Sequence, residues 1–218
     1  MKNLTLIIPA KQESECLPDV LNEIINFNLN CKIKICLDSN DTETIDAIKN
    51  YNVEIYAQKN LGYGSALIEG IESNNTDFFC IFNADGSFKP SELAKMHNKI
   101  EEENCDFIFG SRYLKYAGSE DDTIVTFVGN KIFSLFGKIF FKLKNSDILF
   151  TYVMGKTSKF KELNMKSRDF RFCVELPIKA KNKNFNIEEI GSYERPRISG
   201  RKKVSAIRDG WLILIEMV

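Results

Sequence analysis

The stretch FFCIFNADG, residues 78–86, decides the fold of this chain. The apolar run is almost unbroken from residue 77 to residue 82, and such runs are typical of strands covered on both faces in a parallel sheet. The run stops at Asn83, and Asp85 and Gly86 follow at once. The pattern therefore predicts a buried strand that ends in a turn, with a carboxylate at the edge of a sheet.

Short apolar runs alternate with helical patterns around this stretch. Strands are predicted at residues 4–9, 32–37, 53–56, 77–82 and 107–110. Helices are predicted at residues 17–28, 42–51, 63–73 and 91–102. This alternation predicts an α/β fold with a mostly parallel sheet and right-handed crossovers. Ligands bind such sheets beyond the carboxyl ends of the strands, so residues that follow different strands are expected to meet at one edge.

The pattern changes after residue 120. Residues 125–143 combine helical apolar spacing with interspersed lysines, which predicts one or two amphipathic helices. Beyond them, a helix is predicted at 172–180, a strand at 185–193 and a helix at 206–218. No clean linker divides the chain, so we expect one domain with a first part at 1–115 and a second part at 116–218. Because no run of about 18 apolar residues is present, we expect no clear membrane span.

The 218 residues carry 30 basic and 30 acidic side chains, but the charge is unevenly distributed. Residues 1–125 hold 11 Lys or Arg and 21 Asp or Glu, a net charge of −10, so residues 126–218 carry +10. Either the basic residues 126–218 face an anionic partner, or the two oppositely charged segments neutralise each other. The six cysteines form no CxxC pair, which argues against a zinc or redox site and favours free thiols in a reducing compartment.

Asp85 is the strongest candidate for chemistry. A carboxylate directly after a buried strand can hold Mg²⁺ or Mn²⁺ against the phosphates of a ligand, because these ions accept oxygen ligands from carboxylates and phosphates. The alternative is structural, since Asp often forms an Asx-turn or a helix cap. Asp38 also follows a strand and has two interpretations: it accepts hydrogen bonds from a ribose or base, or it caps the helix that starts near Thr42.

Other candidates supply small or cationic groups. Gly62 and Gly64 precede a predicted helix, where small residues allow the close approach of an anion or a nucleotide. Arg112 follows the fifth strand, and Arg197 and Lys203 lie in a basic segment. Arginine gives phosphate oxygens forked hydrogen bonds and lysine gives a point charge, with solubility or surface pairing as the alternative. The single histidine excludes most histidine-dependent catalysis, and no GxSxG, Walker A or HExxH motif occurs.

In their order along the chain, these motifs resemble family 2 glycosyltransferases of the GT-A fold, and within them the polyprenyl-phosphate (dolichyl-phosphate) sugar transferases. The segments that carry the resemblance are LTLIIPAKQESECLPDVL (4–21), CLDSNDTET (36–44), QKNLGYGSALIEGI (58–71), FFCIFNADGSFKPSEL (78–93), DFIFGSRYL (106–114), VGNKIFSLFGKIFF (128–141) and ERPRISGRKKV (194–204). The resemblance implies a Rossmann-like sheet in a nucleotide-sugar-binding half at 1–115, with an acceptor-side or membrane-side extension at 116–218.

The resemblance also implies roles for the candidate residues. Nucleotide-binding roles are expected for Pro9, Ala10, Asp38, Gly62, Gly64 and Asn83. Catalytic roles are expected for Asp85, Arg112, Arg197 and Lys203, of which the last two, with Gly200, match a segment that grips phosphates. Asp85 and Asn83 match a DxD-type metal motif, so Mg²⁺ or Mn²⁺ is the expected cofactor. Asn83 keeps an oxygen ligand but has no charge, which lowers the expected affinity for the metal.

The activity implied by the resemblance is transfer of a sugar from a nucleotide-sugar donor, with inversion, to a polyprenyl phosphate or another lipid-linked acceptor. Three carboxylates, Asp169, Glu175 and Glu194, are weak candidates for a general base, and a phosphate acceptor needs no base. The alternatives are transfer to a saccharide hydroxyl in surface-glycan synthesis, and donor binding without turnover, which Asn83 suggests.

The expected location follows from the same patterns. We expect a cytoplasmic protein with peripheral contact to the inner face of the membrane, and no nucleic-acid partner. The amphipathic segments 125–143 and 206–218 either lie on the membrane interface or pack on the domain.

Overall fold

The computed structural model describes residues 3–198. The predicted helix at 206–218 and two candidates of the basic segment, Gly200 and Lys203, lie outside these residues. The described strands are β1 (Leu4–Pro9), β2 (Lys32–Leu37), β3 (Glu54–Ala57), β4 (Phe78–Ile81), β5 (Phe107–Ser111), β6 (Gly118–Ser119), β7 (Val153–Lys156), β8 (Ile187–Gly191) and β9 (Tyr193–Glu194). The described helices are α1 (Leu17–Asn26), α2 (Thr42–Ile48), α3 (Tyr63–Glu72), α4 (Ser91–Glu102), α5 (Ile124–Phe141), α6 (Thr157–Glu162) and α7 (Phe172–Asn182).

Within residues 3–198, seven strands form one sheet in the order β3-β2-β1-β4-β7-β5-β8. β1 pairs in parallel with β2 and β4, and β2 pairs in parallel with β3. β5 pairs in parallel with β8, whereas β7 is antiparallel to both of its neighbours, β4 and β5. β6 and β9 form a separate parallel pair. The predicted α/β fold with a mostly parallel sheet is confirmed.

Apolar helices cover both faces of the sheet. In β1, Leu4, Leu6 and Ile8 belong to the cluster that includes the apolar faces of α1 and α4, whereas Ile7 belongs to the opposite cluster with α3, α6 and α7. Successive side chains of a strand alternate between faces, so a sheet that is covered twice needs apolar residues at successive positions. This requirement explains the unbroken apolar runs that predicted β1 and β4.

The sequence pattern does not predict β7, which lies between β4 and β5. Its four residues, VMGK, are too few to show a period, and Gly155 lowers β propensity. A Cβ built on Gly155 would lie 2.5 Å from Cδ1 of Phe107 and 2.9 Å from Cε1 of Phe79. The missing side chain therefore makes room for two buried aromatic rings in the middle of the sheet.

The predicted strand at 185–193 is divided in two. β8 ends at Gly191, and the next hydroxyl, that of Ser192, donates to the Glu92 carboxylate. The backbone N–H of Tyr193 also donates to Glu92, at 3.0 Å, and β9 then pairs with β6 instead of β5. The ends of the other predicted elements agree with the structure to within three residues.

Residues 125–143 form one helix. The side chain of Thr123 accepts from the backbone N–H of Thr126 at 3.2 Å, and the Thr126 hydroxyl accepts from the Thr123 N–H at 2.8 Å, so a capping box starts α5. The helix stops at Lys142, which has a φ of 54°. These signals leave 18 continuous helical residues between them.

Most of α5 is not covered by the rest of the domain. Its buried residues are Ser134 and Gly137, and 11% of the helix is buried. Among the described residues, α5 is the one helix that is long and apolar enough to cross a membrane, which differs from the sequence expectation. The difference arises because Lys131 and Lys138 interrupt the apolar run without ending the helix.

The boundary between the parts 1–115 and 116–218 stays a prediction. β7 and β8 come from the second part, yet they lie in the same sheet as β1–β5 of the first part. The two parts therefore share one sheet.

Replacing Gly155 with Ala is expected to lower the free energy of unfolding by about 1–3 kcal/mol, because the two rings above it are fully buried and must move. Gly129→Ala is the matched control, since a Cβ on Gly129 meets nothing within 4 Å and its helix gains up to about 1 kcal/mol from alanine. Urea unfolding followed by circular dichroism measures both. Equal stability of the two variants would contradict the packing described for β7.

Candidate active site

The carboxyl ends of β2, β1 and β4 lie side by side and carry most of the predicted site residues. Pro9 is in register with Cys36, and the N–H of Ala10 donates to the Cys36 carbonyl at 2.9 Å. Asp38 follows β2 on one side of β1, and Asn83–Asp85 follow β4 on the other. The structure therefore brings Pro9, Ala10, Asp38, Asn83 and Asp85 to one edge, at the place where parallel sheets bind ligands.

Asp38 does not cap α2. Its Oδ1 accepts hydrogen bonds from the backbone N–H and the side-chain amide of Asn40, at 2.9 and 3.0 Å. The cap is Asp41, whose carboxylate accepts from the N–H of Thr44 at 3.3 Å. The capping interpretation of Asp38 is wrong, and its half-buried carboxylate stands at the end of β2. Its contact with a nucleotide stays a prediction.

The turn after β4 fixes one oxygen of Asp85. Oδ1 accepts from the backbone N–H of Ser87 at 3.0 Å and from its hydroxyl at 2.7 Å, so the predicted Asx-turn is present. Gly86 makes the turn possible with a φ of 81°. The amide of Asn83 donates to the same Ser87 hydroxyl at 3.2 Å. Ser87 thus orders both residues of the DxD-type motif and leaves Oδ2 of Asp85 facing Arg197, at 3.6 Å from Nε.

The oxygen atoms at this turn fit a divalent cation that is completed by a ligand. Among residues 3–198, no three His, Cys, Asp or Glu side chains lie close enough to form a metal cage. Mg²⁺ does not need such a cage, because it binds through one or two protein oxygens together with water and substrate phosphates. The roles of Asp85 and Asn83 as metal ligands stay a prediction, for which Oδ2 of Asp85 and the amide oxygen of Asn83 are the available atoms.

Arg112 lies in a buried ionic network. Its Nε and Nη2 donate to the two oxygens of Asp147 at 2.7 and 3.0 Å, and its Nη1 donates to Glu194 at 3.1 Å. Asp147 is completely buried, and the guanidinium carbon lies 4.8 Å from the centre of the Phe150 ring. Burial lowers the pKa of Arg112, but the hydrogen bonds and charge of Asp147, with the charge of Glu194, outweigh it and raise that pKa. The guanidinium of Arg112 is thus already bonded to two carboxylates. Its contact with the donor stays a prediction.

Residues 194–198, here called the strap, run alongside the turn that carries Asp85. The N–H of Arg195 donates to the Ser87 carbonyl and the N–H of Ile198 donates to the Asp85 carbonyl, both at 2.9 Å. The Arg195 guanidinium donates to both oxygens of Glu23 at 2.8 Å. Nε of Arg197 lies 3.6 Å from Asp85 and 3.6 Å from Asp121. The strap thus places Arg197 close to Asp85, and the catalytic role of Arg197 stays a prediction.

Gly62 and Gly64 have a packing role at the start of α3. A Cβ on Gly62 would lie 2.2 Å from the Arg168 carbonyl oxygen, and one on Gly64 would lie 2.2 Å from that of Ser167. The N–H of Ser65 also donates to the Arg168 carbonyl at 3.1 Å. The close approach predicted for these glycines is made by the chain itself, and their contact with a nucleotide stays a prediction.

The sequence patterns did not single out Ser87 or Asp121. Ser87 had a usable signal, because Asp-Gly-Ser after a strand is typical of an Asx-turn whose acceptor is the Asp side chain. Asp121 had none, since its pairing with Arg197 joins positions far apart in the chain.

A comparison with family models identifies the family of this chain. Residues 5–163 match the model of Glycosyl transferase family 2, and the chain belongs to that family. It is 25% identical over 214 residues to an uncharacterized glycosyltransferase of Mycobacterium tuberculosis. The aligned residues make up 97% of this chain and 94% of the relative. It is also 25% identical to the UDP-N-acetylglucosamine–dolichyl-phosphate N-acetylglucosaminyltransferase of Methanococcus voltae, over 87% of this chain and 84% of that one.

Solved structures confirm the fold. Glucosyl-3-phosphoglycerate synthase of Mycobacterium tuberculosis, crystallised with Mn²⁺, UDP and glucosyl-3-phosphoglycerate, is similar with a TM-score of 0.76 and 9% identity, over 99% of this chain and 78% of that one. Mannosyl-3-phosphoglycerate synthase of Rubrobacter xylanophilus has a TM-score of 0.73 and 12% identity, over 98% and 72%. The predicted GT-A fold is confirmed by these likenesses.

Arg112→Met is expected to lower the free energy of unfolding by about 3–5 kcal/mol, because it leaves the buried Asp147 carboxylate without its cation. The control is Arg171→Met, whose partner Asp169 is more than a third exposed. Urea unfolding at neutral pH measures all three proteins. A loss for Arg112→Met that matches the control would contradict a structural role for the network.

Proposed function

We propose that this glycosyltransferase moves a sugar from a nucleotide-sugar donor to a polyprenyl phosphate, or to another phosphate carried by a lipid, at a membrane surface. The observation that carries the proposal is the exposed apolar face of α5, a helix that is preceded by Asp121 near Arg197 and Asp85. Membership of the family supports sugar transfer. The described contacts favour a phosphate as the acceptor group and a membrane surface as the place of reaction.

One face of α5 is an apolar stripe. Ile124, Val128, Ile132, Leu135 and Ile139 recur at helical spacing, and between 48% and 85% of each residue is exposed. Large exposed apolar patches are rare on domains that meet only water. Lys131 and Lys138 border the stripe and are exposed. A helix with an apolar face and flanking lysines fits the interface of an anionic bilayer.

The start of α5 is connected to the candidate site. The residues that precede its cap include Asp121, which lies 3.6 Å from Arg197, and Arg197 in turn lies 3.6 Å from Asp85. The Asn130 amide of the helix donates to the Tyr113 hydroxyl at 3.0 Å, and Tyr113 follows Arg112 of the ionic network. The segment that leads into α5 is thus linked to the DxD-type motif through Arg197, which would bring the headgroup of a bound lipid towards that motif.

The electrostatic environment favours an acceptor that is already anionic. Hydrogen bonds from Arg171 lower the pKa of Asp169, which makes it a weaker base. Burial raises the pKa of Glu175, but hydrogen bonds from Lys179 and from two backbone N–H groups outweigh burial and leave that pKa lowered. Glu194 is bonded to Arg112 and to the Ser119 hydroxyl. None of these three is arranged to take a proton from a sugar hydroxyl, and a phosphate oxygen needs no such base.

The proposed reaction is a direct displacement. An acceptor phosphate oxygen forms a bond to the anomeric carbon from the face opposite the nucleoside diphosphate, whose bond to that carbon breaks. Asn83 and Asp85 would hold Mg²⁺ or Mn²⁺, which supplies charge neutralisation for the departing diphosphate. Asp38, Pro9 and Ala10 would position the nucleoside at the neighbouring strand ends.

A small phosphorylated acceptor is the second candidate. The two solved structures described above are synthases of sugar phosphoglycerates, whereas the relative from Methanococcus voltae is named for dolichyl phosphate. Both kinds of acceptor present a phosphate group. The exposed stripe of α5 favours the lipid for this chain. The six free cysteines favour the cytoplasmic side of the membrane.

Incubation with labelled UDP-, GDP-, CDP- or dTDP-sugars, Mn²⁺ and either polyprenyl phosphate or 3-phosphoglycerate tests the activity. We expect one donor class to transfer label into an organic extract when the lipid phosphate is present. Asp85→Asn should reduce the transfer by roughly 10²–10³-fold, because a group that stabilises the leaving charge is lost. Asp77→Asn, at the other end of β4, is the matched control and should stay active. Label that moves only to phosphoglycerate or to a water-soluble glycan would refute the lipid acceptor.

Membrane binding through α5 is tested by flotation with vesicles of anionic phospholipid. Leu135→Glu and Ile139→Glu should each weaken binding by roughly 10–100-fold, because burial of such a side chain is worth about 1.5–3 kcal/mol. Ile25→Glu is the control, since Ile25 is also about half exposed but belongs to α1. Equal flotation of all three variants would show that α5 is not the membrane surface.

A further inference from the structure

Three arginines lie in the strap or bind to it, and they are held in different ways. Arg112 donates to Asp147 at 2.7 and 3.0 Å, and Arg195 donates to both oxygens of Glu23 at 2.8 Å. Paired, short hydrogen bonds of this kind fix both the position and the plane of a guanidinium. These two arginines fasten the strap to the body of the domain, because Glu194 is also a partner of Arg112.

Arg197 is held much less firmly. Its Nε lies 3.6 Å from Oδ2 of Asp85 and 3.6 Å from Oδ2 of Asp121, beyond the range of a hydrogen bond. The Nε atom is buried and has no hydrogen-bond partner among the described residues. A buried N–H without a partner is costly, so this guanidinium is expected to gain by turning to a better acceptor.

Arg197 lies beside the oxygen that is predicted to bind the metal. Oδ1 of Asp85 is used by Ser87, so Oδ2 is the oxygen left for a cation, and it is this oxygen that Arg197 faces. The strap also lies directly on the turn, since a Cβ on Gly86 would be 2.6 Å from Cδ1 of Ile198. A divalent cation on Oδ2 would meet the positive charge of Arg197 at close range.

We propose that Arg197 neutralises Asp85 until a divalent cation takes its place, and that Arg197 then turns to the phosphates of the bound ligand. The proposal rests on the proposed function, in which Asp85 is a metal ligand. Arg197 would thus couple metal binding to phosphate binding. The unpaired Nε finds its acceptor among phosphate oxygens, which match the fork of a guanidinium. Cation and diphosphate would bind better together than either does alone.

The coupling predicts opposite effects of one substitution on two binding equilibria. Arg197→Gln should tighten the binding of Mn²⁺ alone by about three- to tenfold, because the competing charge is gone. The same variant should weaken the binding of pyrophosphate in the presence of saturating Mg²⁺ by about tenfold, because the forked contact is lost. Titration of the Mn²⁺ paramagnetic resonance signal measures the first, and thermal stabilisation by pyrophosphate measures the second. Neither measurement depends on activity or on the identity of the donor.

Two further variants separate the possible outcomes. Lys89→Gln removes a positive charge that follows the same turn, but its ammonium lies over the Tyr193 ring, so Mn²⁺ affinity should change less than twofold. Asp85→Asn should abolish the Mn²⁺ binding of both the wild type and Arg197→Gln. If Asp85→Asn has no effect, the metal site itself is wrongly placed.

Two results would overturn the competition between Arg197 and the cation while leaving the metal site in place. In the first, Mn²⁺ binding requires Asp85, but Arg197→Gln and the wild type bind Mn²⁺ equally. In the second, Lys89→Gln tightens Mn²⁺ binding as much as Arg197→Gln does. Absence of Mn²⁺ binding in both the wild type and Arg197→Gln also overturns it, since an uncovered Asp85 must bind better. Unchanged pyrophosphate binding in Arg197→Gln overturns the exchange to phosphate.

Discussion

The parallel pairing of β1 with β2 and with β4 is the constraint on which the site depends. Strands that run side by side in one direction must end at the same edge, so three separate segments of the chain deliver Pro9, Asp38 and Asp85 to one place. The pairing is stable because both faces of these strands are buried under helices. The site therefore inherits its geometry from the best-packed part of the domain, although the residues that line it belong to loops.

The second part of the chain supplies what the sheet edge lacks. The Arg112–Asp147–Glu194 network is largely buried, and it joins the end of β5 to the strap through contacts that water screens little. The strap then brings a cation, Arg197, to the acidic turn of the first part. One contact between the acidic residues 1–125 and the basic residues 126–218, that of Asp85 with Arg197, thus lies at the site itself.

The extent to which sequence predicts this arrangement differs between its parts. The strand ends were predictable because an apolar run that stops at a polar residue marks the sheet edge, as Asn83 does after β4. The structural contacts of Gly62 and Arg112 were not predictable, because each is made with a partner that is distant in the chain. These partners are the Arg168 carbonyl for Gly62 and the Asp147 carboxylate for Arg112. The sequence pattern did not predict β7, because Gly155 has a low β propensity. Gly155 is needed there because the rings of Phe79 and Phe107 leave no room for a Cβ. The exposure of α5 likewise depends on what the rest of the domain leaves uncovered.

The most direct test of the account is the structure of the reaction product. With a short-chain polyprenyl phosphate as acceptor, phosphorus NMR should show the phosphomonoester signal replaced by that of a phosphodiester. Proton couplings should show an anomeric configuration opposite to that of the donor sugar. A phosphomonoester that stays unchanged while free sugar or a glycosidic bond to a hydroxyl appears would contradict glycosylation of a lipid phosphate by this chain.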